Sequence, residues 1–312
     1  MSMNSTIKEV LKNGVRPYLI PIFRTYIRYF PIHQGKRFIW QKLIEPYIQS
    51  ADYPYIANTL YAGVIAGNTS DFIQRFIYYF GIWEPALTYW VRRRIKPGDV
   101  FIDIGANIGY YTLLASKLVG KHGKVISIEA SPRIFESLKN NLARNYIQNV
   151  KALNLAVSDS EGTVKVYFGG HGNCGETSIL EQVGMEFEGE VKSIRLDTIL
   201  ISEELDKIRI VKIDVEGAEF SVVDGMHELL HKCPKVDVLI EINPERLATQ
   251  GKTAESIFKI FEQAGYYAYS LENSYSPLSY LTPKQKWNPS CVLKPIMTQM
   301  DIVFTRDEQG NN

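Results

Sequence analysis

Cysteine is scarce in this 312-residue chain: Cys174, Cys233 and Cys291 are the only three, and none forms a CxxC pair. A disulfide framework or a zinc site is therefore not expected, and a reducing cytoplasm is the expected location. No uninterrupted apolar run approaches the roughly eighteen residues of a spanning helix. The N-terminus also lacks the apolar stretch and small-residue cleavage site of a secretory leader. The five histidines, His33, His122, His171, His227 and His231, have no ligand spacing, so no metal is expected. Net charge is only +1, which gives no reason to expect a nucleic-acid partner. Internal repeats and low-complexity tracts are absent.

Apolar residues are plentiful, at 45%, enough for a substantial core. Charge is unevenly spread. Residues 1–44 carry eight basic side chains against the single acid Glu9, a local balance of +7 beside −6 for the remainder. Lys8, Lys12, Arg16, Arg24 and Arg28 recur at a four-residue spacing with one gap, which on a helix makes a basic stripe. Such an arm suits peripheral contact with an anionic membrane surface. The preferred reading is that its apolar face packs on the rest of the chain or on a second copy in a homodimer. Residues 1–80, rich in tyrosine and interrupted by prolines, are expected to form a helical N-terminal extension, and 81–312 a separate domain.

From Lys96-Pro97-Gly98-Asp99 onward short apolar strands alternate with helices. Strands are expected at 100–104, 125–128, 150–156, 208–215, 236–242, 267–271 and 302–305, with helices at 84–95, 110–119, 133–145, 218–231 and 254–264. That alternation implies an α/β fold with a mostly parallel sheet covered by helices on both faces. A glycine-rich insertion around 169–177 and a proline-rich loop over 273–300 are candidate ligand loops.

The central signal is Asp103-Ile104-Gly105-Ala106-Asn107-Ile108-Gly109, set between a strand and a helix. A nicotinamide-type G-x-G-x-x-G loop would need glycine at 107 and 110, where this chain has Asn107 and Tyr110. The loop is thus ill suited to a pyrophosphate but can still seat a nucleoside. S-adenosylmethionine, a nucleoside with a sulfonium and no phosphate, fits that description, with Asp103 beside its positive charge. Glu129 ends the second strand, where a carboxylate can accept hydrogen bonds from both ribose hydroxyls. Lys212, Asp214 and Glu216 share one side of the fourth strand's end, an arrangement with no packing motive. Asp214, then Glu216, then His171 are the candidate bases for an acceptor hydroxyl, with Lys212 beside them. The plainer reading is a structural ion pair of Lys212 with Asp214 or Glu216. Glu241 and Asn243 close the fifth strand and are candidate acceptor contacts.

These residues stand in longer motifs: KPGDVFIDIGANIGYYTLLAS (96–116), VISIEASP (125–132), AVSDSEGTV (156–164), VKIDVEGAEFSVVDG (211–225) and MDIVFTR (300–306). Together they resemble the FkbM family of S-adenosylmethionine-dependent methyltransferases, over about Trp83 to Arg306. The resemblance implies a Rossmann-like class I methyltransferase sheet of seven strands with a late antiparallel one. It implies cofactor contacts from Asp103, Gly105, Asn107 and Gly109, with Glu129 on the ribose; Ala106, Tyr110, Ala130 and Ser131 beside them are further expected contacts. It also implies O-methylation of a hydroxyl on a saccharide, glycolipid or other natural product. Ile128 and Ala130 flank Glu129 where the family usually has an aromatic and a proline. N-methylation of a small amine, or a regulatory module that binds cofactor without turnover, are the alternatives.

Overall fold

The computed structural model describes residues 16–30, 35–48, 52–169, 177–181, 184–200, 202–281, 290–291 and 296–308. Lys8, Lys12, His33, His171 and Cys174 lie outside the described residues.

Apolar runs with few polar interruptions form the strands β3 (Val100–Ile104), β4 (Lys124–Ile128), β5 (Val150–Leu153), β10 (Ile208–Ile213), β11 (Asp237–Ile242), β12 (Tyr267–Leu271) and β14 (Met300–Thr305). With a two-residue edge strand, β13 (Ser290–Cys291), they make one sheet in the order β13-β12-β14-β11-β10-β3-β4-β5. β3, β4, β5, β10 and β11 pair in parallel, whereas β14 runs antiparallel to both β11 and β12. The strand pleat sends alternate residues to opposite layers. Phe101, Ile210 and Leu239 join a core with Leu113 and Leu114, while Ile102, Val211 and Ile240 join the other with Val222 and Phe258. Helices therefore cover both faces, as the alternating pattern implies. The chain reverses direction across the sheet between β3 and β10, and α/β folds hold ligands in the crevice outside such a switch point.

Local chemistry sets the helix ends. Ser131 caps Pro132–Arg144 by accepting Ile134 N–H, and Asp71 caps Phe72–Phe80 by accepting Gln74 N–H. The expected helix 218–231 is two helices, Glu219–Asp224 and His227–Lys232. They meet at Gly225, where a Cβ would stand 2.1 Å from the Ser158 carbonyl oxygen. The expected strand 150–156 breaks because Asn154 turns aside to donate to the Glu129 and Ala130 carbonyls.

The insertion after β5 builds a second sheet, ordered β6-β9-β7-β8, from β6 (Ala156–Val157), β7 (Gly162–Phe168), β8 (Thr177–Ser178) and β9 (Glu186–Ile194). Ser178 Oγ donates to the Glu216 carbonyl at 2.8 Å, which ties this sheet to the chain beyond β10.

The N-terminal region is not wholly helical. Helices occupy Arg16–Tyr29 and much of 36–48, but Pro54–Asn58 and Val64–Asn68 form the antiparallel hairpin β1–β2. Asn141 of the helix Pro132–Arg144 and its C-cap Asn145 act as a partner strand for β2. Asn145 exchanges hydrogen bonds with both backbone groups of Val64, and Asn141 does the same with Ala66. Ile27, Trp40, Tyr55 and Tyr79 share one core with Leu113 and Phe101. Two cations of the basic stripe face this body. Arg24 lies over the Tyr78 ring, and Arg28 donates to the carbonyls of Asn58, Ile77, Tyr78 and Tyr79.

Candidate active site

β3 ends in a turn that wraps under the neighbouring strands. Gly105 and Ala106 N–H both donate to the Ile128 carbonyl of β4, at 2.9 and 3.0 Å. On the other side Asp214 N–H donates to the Ile104 carbonyl at 3.0 Å. The backbone is so close there that a Cβ on Gly105 would lie 1.8 Å from the Asp214 carbonyl oxygen, and its φ is 75°. Asn107 is also left-handed, φ 51°, a conformation its short amide tolerates by accepting the next N–H, that of Ile108. Gly109 serves packing: a Cβ there would meet Leu138 at 2.6 Å.

Glu129, buried at the end of β4, accepts Asn107 N–H at 2.8 Å on one oxygen and Ser131 N–H at 2.9 Å on the other. Burial pushes its carboxyl up to about 7, against the pull of these two donors. Each oxygen keeps a lone pair, so a diol could still be bound. Around it lies a cleft of about 730 Å³, counted to its open mouth, walled by Gly105, Asn107, Ile134, Leu155 and Val157 and closed by Ser178 and Ile179 of the insertion. Its apolar side and its carboxylate fit a nucleoside: Glu129 for the ribose hydroxyls, and Ile134, Leu155 and Val157 for the base.

The expected cofactor residues do not all reach this wall. Gly105, Asn107, Glu129 and Ala130 do. Ser131 caps the following helix and holds Glu129 from behind. Tyr110 turns away, its ring buried and its hydroxyl 3.3 Å from Thr88 Oγ1. Ala106 is buried and Gly109 is packed on Leu138. Asp103 lies beneath the loop, fully buried and bonded by Thr112 Oγ1 at 2.6 Å, with its other oxygen unpartnered. It sits beside Lys212, its register partner on β10. Burial raises its pKa, and the Lys212 charge opposes that rise.

A second, open chamber adjoins the first and shares Ile73, Asp214 and Glu216 with it. Its remaining walls are Phe72, Trp83, Glu84, Glu241, Arg246, Tyr275 and Gln299. Trp83 and Tyr275 stack, with ring centroids 5.6 Å apart. Lys212 Nζ, buried under the floor, donates to Asp214 Oδ2 at 2.7 Å. Neighbouring carboxylates outweigh its desolvation and keep it charged. Glu216 instead pairs with Arg246. Of the two structural pairings open in the sequence, the one with Asp214 is present. Glu241 accepts the Gln299 amide at 2.6 Å, and burial and the charges of Asp214 and Glu84 raise it to about 7. Asn243 caps the helix Pro244–Thr249 and donates to Gln299, outside the chamber wall.

Glu84, Trp83, Tyr275 and Gln299 were not among the residues expected from sequence. They come from two stretches nearly two hundred residues apart, 83–84 and 275–299, and lie in no motif. Their only signals are the proline after Glu84 and the unusual length of the 273–300 loop that carries Tyr275 and Gln299.

The model of the methyltransferase FkbM domain matches residues 103–267, just over half of the chain. The chain belongs to the FkbM methyltransferase family. The family takes its methyl group from S-adenosylmethionine, and the cleft at Glu129 fits that cofactor. Methyltransferase sdnD of Sordaria araneosa is 29% identical over 162 residues, 42% of this chain and 62% of that protein. The hexuronic acid methyltransferase AglP of Haloferax volcanii is 29% identical over 167 residues, 52% of this chain and 66% of that protein. The match thus spans a little less than two thirds of these relatives. A crystal structure of an FkbM methyltransferase from Methylobacillus flagellatus aligns with 75% of this chain and 55% of its own, at 13% identity and a TM-score of 0.42.

Proposed function

We propose that this protein transfers a methyl group from S-adenosylmethionine to a hydroxyl of an uncharged saccharide unit. The observation that carries the reading is the second chamber: it opens onto the cofactor cleft at Asp214 and combines a stacked aromatic pair with carboxylates. Aromatic faces cover the apolar side of a sugar ring, and carboxylates accept its hydroxyl protons. The chamber cations are already paired, Lys212 with Asp214 and Arg246 with Glu216, so an acidic acceptor finds no counter-charge. The names of the relatives, one acting on a hexuronic acid, support O-methylation in general.

Methyl transfer is an in-line displacement, in which alignment of donor and acceptor supplies much of the rate. When bound, the cofactor provides an electrophilic methyl with a good leaving group. Asp214, at the junction and fixed by Lys212, orients the acceptor. The same acidic walls favour a second reading, N-methylation of an amine. Release of S-adenosylhomocysteine with a panel of neutral methyl glycosides, their uronic-acid counterparts and amino-sugar glycosides tests both. Turnover with neutral glycosides is expected. Turnover with amino sugars alone selects the amine reading, and turnover with uronic acids alone refutes the charge argument.

A further inference from the structure

The chamber holds one side chain whose placement is costly to the fold and whose chemistry is unused by the account above. Glu84 has φ 40° and ψ 76°. It carries a Cβ and precedes Pro85, and residues before proline strongly prefer extended backbone. Such a conformation is strained and persists only where the surroundings enforce it. They do so here from three directions. Tyr280 Oη meets Glu84 N–H at 3.2 Å, and the Glu84 carbonyl accepts Thr88 N–H at 2.8 Å. Tyr111 and Tyr275 each donate a hydroxyl to a different carboxylate oxygen, at 2.9 and 2.8 Å. The result is a buried carboxylate with one lone pair on each oxygen unused by these tyrosines, in the wall that also holds Asp214.

We propose that Glu84 is the general base of the transfer, taking the proton of the acceptor hydroxyl. The inference rests on the reading of the second chamber as the acceptor site. The other carboxylates are worse placed. Asp214 is ion-paired with Lys212, and Glu216 with Arg246. Glu241 is only half-buried and also borders the groove of Ser274 and Asp301, whereas Glu84 is buried and does not reach that groove. In the step, the acceptor O–H bond breaks and its proton passes to a Glu84 oxygen. The oxygen's electron pair forms the new C–O bond as the methyl–sulfur bond breaks, and that bond's pair stays on sulfur. The protonated carboxyl then returns its proton to solvent through the chamber mouth.

The groups facing Glu84 are Asp214 and Lys212 from β10, Glu241 from β11, Asp301 from β14, and Tyr110, Tyr111, Tyr275 and Tyr280 from the packed helices and loop. Burial, then the Asp214 charge, raises the Glu84 carboxyl to about 7, against the pull of Lys212 and the two tyrosine hydroxyls. A base raised toward neutrality in this way accepts a proton readily.

The test compares wild type, Glu84→Gln and Glu84→Asp, using the neutral glycoside panel and labelled S-adenosylmethionine. Glu84→Gln is expected to lower kcat by roughly 10²–10⁴, to leave S-adenosylhomocysteine affinity within about threefold, and to abolish the rise of rate with pH through neutrality. Glu84→Asp should restore part of the rate. A loss below threefold in kcat, or an unchanged pH profile, overturns the proposal. A readout independent of turnover accompanies these. In protein carrying carboxyl-13C glutamate, the resonance missing from Glu84→Gln identifies Glu84. Its titration near neutrality supports the proposal, and a midpoint below about 5 overturns it. If wild type methylates none of the panel, the acceptor reading has failed, and this titration still decides whether Glu84 can hold the proton at that place.

Discussion

Gly105→Ala should separate the two demands made on the cofactor turn. At φ 75° any side chain incurs left-handed strain of roughly 1–2 kcal/mol. The new methyl would also stand 1.8 Å from the Asp214 carbonyl oxygen, so the ends of β3 and β10 must part by more than 1 Å. Overpacking of this kind typically adds about 1–3 kcal/mol. The sum, on the order of 2–5 kcal/mol, is a large share of the roughly 5–15 kcal/mol that holds a domain together. Gly98 is the internal control: its φ is 93°, yet a Cβ there meets nothing within 4 Å. Gly98→Ala should therefore show the strain alone. Urea unfolding of both variants gives the two values, and calorimetric titration with S-adenosylhomocysteine gives the effect on the cleft. Gly105→Ala should lose measurable affinity, while Gly98→Ala keeps it. Equal midpoints for the two variants would refute the close approach of β3 and β10 on which the site description rests.

Glu129→Gln keeps the shape but replaces an acceptor oxygen with an amide that clashes with one of the two backbone donors. Affinity for S-adenosylhomocysteine should fall by about 1.5–3 kcal/mol, seen by calorimetry, with far-UV circular dichroism unchanged. Arg28→Ala removes the donor to four carbonyls, at Asn58 and at the end of the helix Phe72–Phe80. It should destabilise the fold by about 2–4 kcal/mol and open the segment near Tyr29 to limited proteolysis; an unchanged digestion pattern counts against the docking described. Stability of the cofactor-free protein should depend on pH with an unusual sign. Glu84, Glu129 and Glu241 are each raised from 4.5 to about 7 by burial, so the unfolded chain releases these protons first. Their contribution is fully present below about 4.5 and lost as pH rises through about 7. The melting temperature should fall between pH 5.5 and 8, less steeply in Glu84→Gln, and a flat profile would speak against the buried carboxylates.

Where one strand and its own turn decide the structure, the sequence is readable. Val100–Ile104, Tyr110–Val119 and Tyr267–Leu271 fall within the expected bounds, since an apolar run closed by a turn needs no distant information. The hairpin at Pro54–Asn68 was hidden because the groups that pair with its outer edge are Asn141 and Asn145, some eighty residues away. Its tyrosines and prolines mimic a broken helix. The cofactor wall was half legible. Gly105, Asn107 and Glu129 lie within one motif-bearing stretch, whereas Asp103 and Tyr110 belong to the same stretch but point under it and away from it. Strand alternation places Lys212, Asp214 and Glu216 on one side, but only the structure shows that Lys212 pairs with Asp214 and that Glu216 pairs with Arg246.

The division between legible and hidden residues follows a division of labour in the fold. The segment matched by the family, 103–267, supplies Gly105, Asn107 and Glu129 and the insertion that closes the cofactor cleft. The second chamber draws Phe72, Ile73, Trp83 and Glu84 from before that segment, and Tyr275 and Gln299 from after it. Among the described residues, that segment gives the chamber only Asp214, Glu216, Glu241 and Arg246. A carboxylate strained against Pro85 must be held by elements packed around it. Here Tyr280 meets its backbone and Tyr275 its side chain, both from the chain's C-terminal part, while Arg28 ties the N-terminal helix to the end of Phe72–Phe80. On the proposed reading, the N-terminal extension therefore supports the acceptor chamber from behind. Changes in residues 16–80 should then alter acceptor use before they alter cofactor affinity.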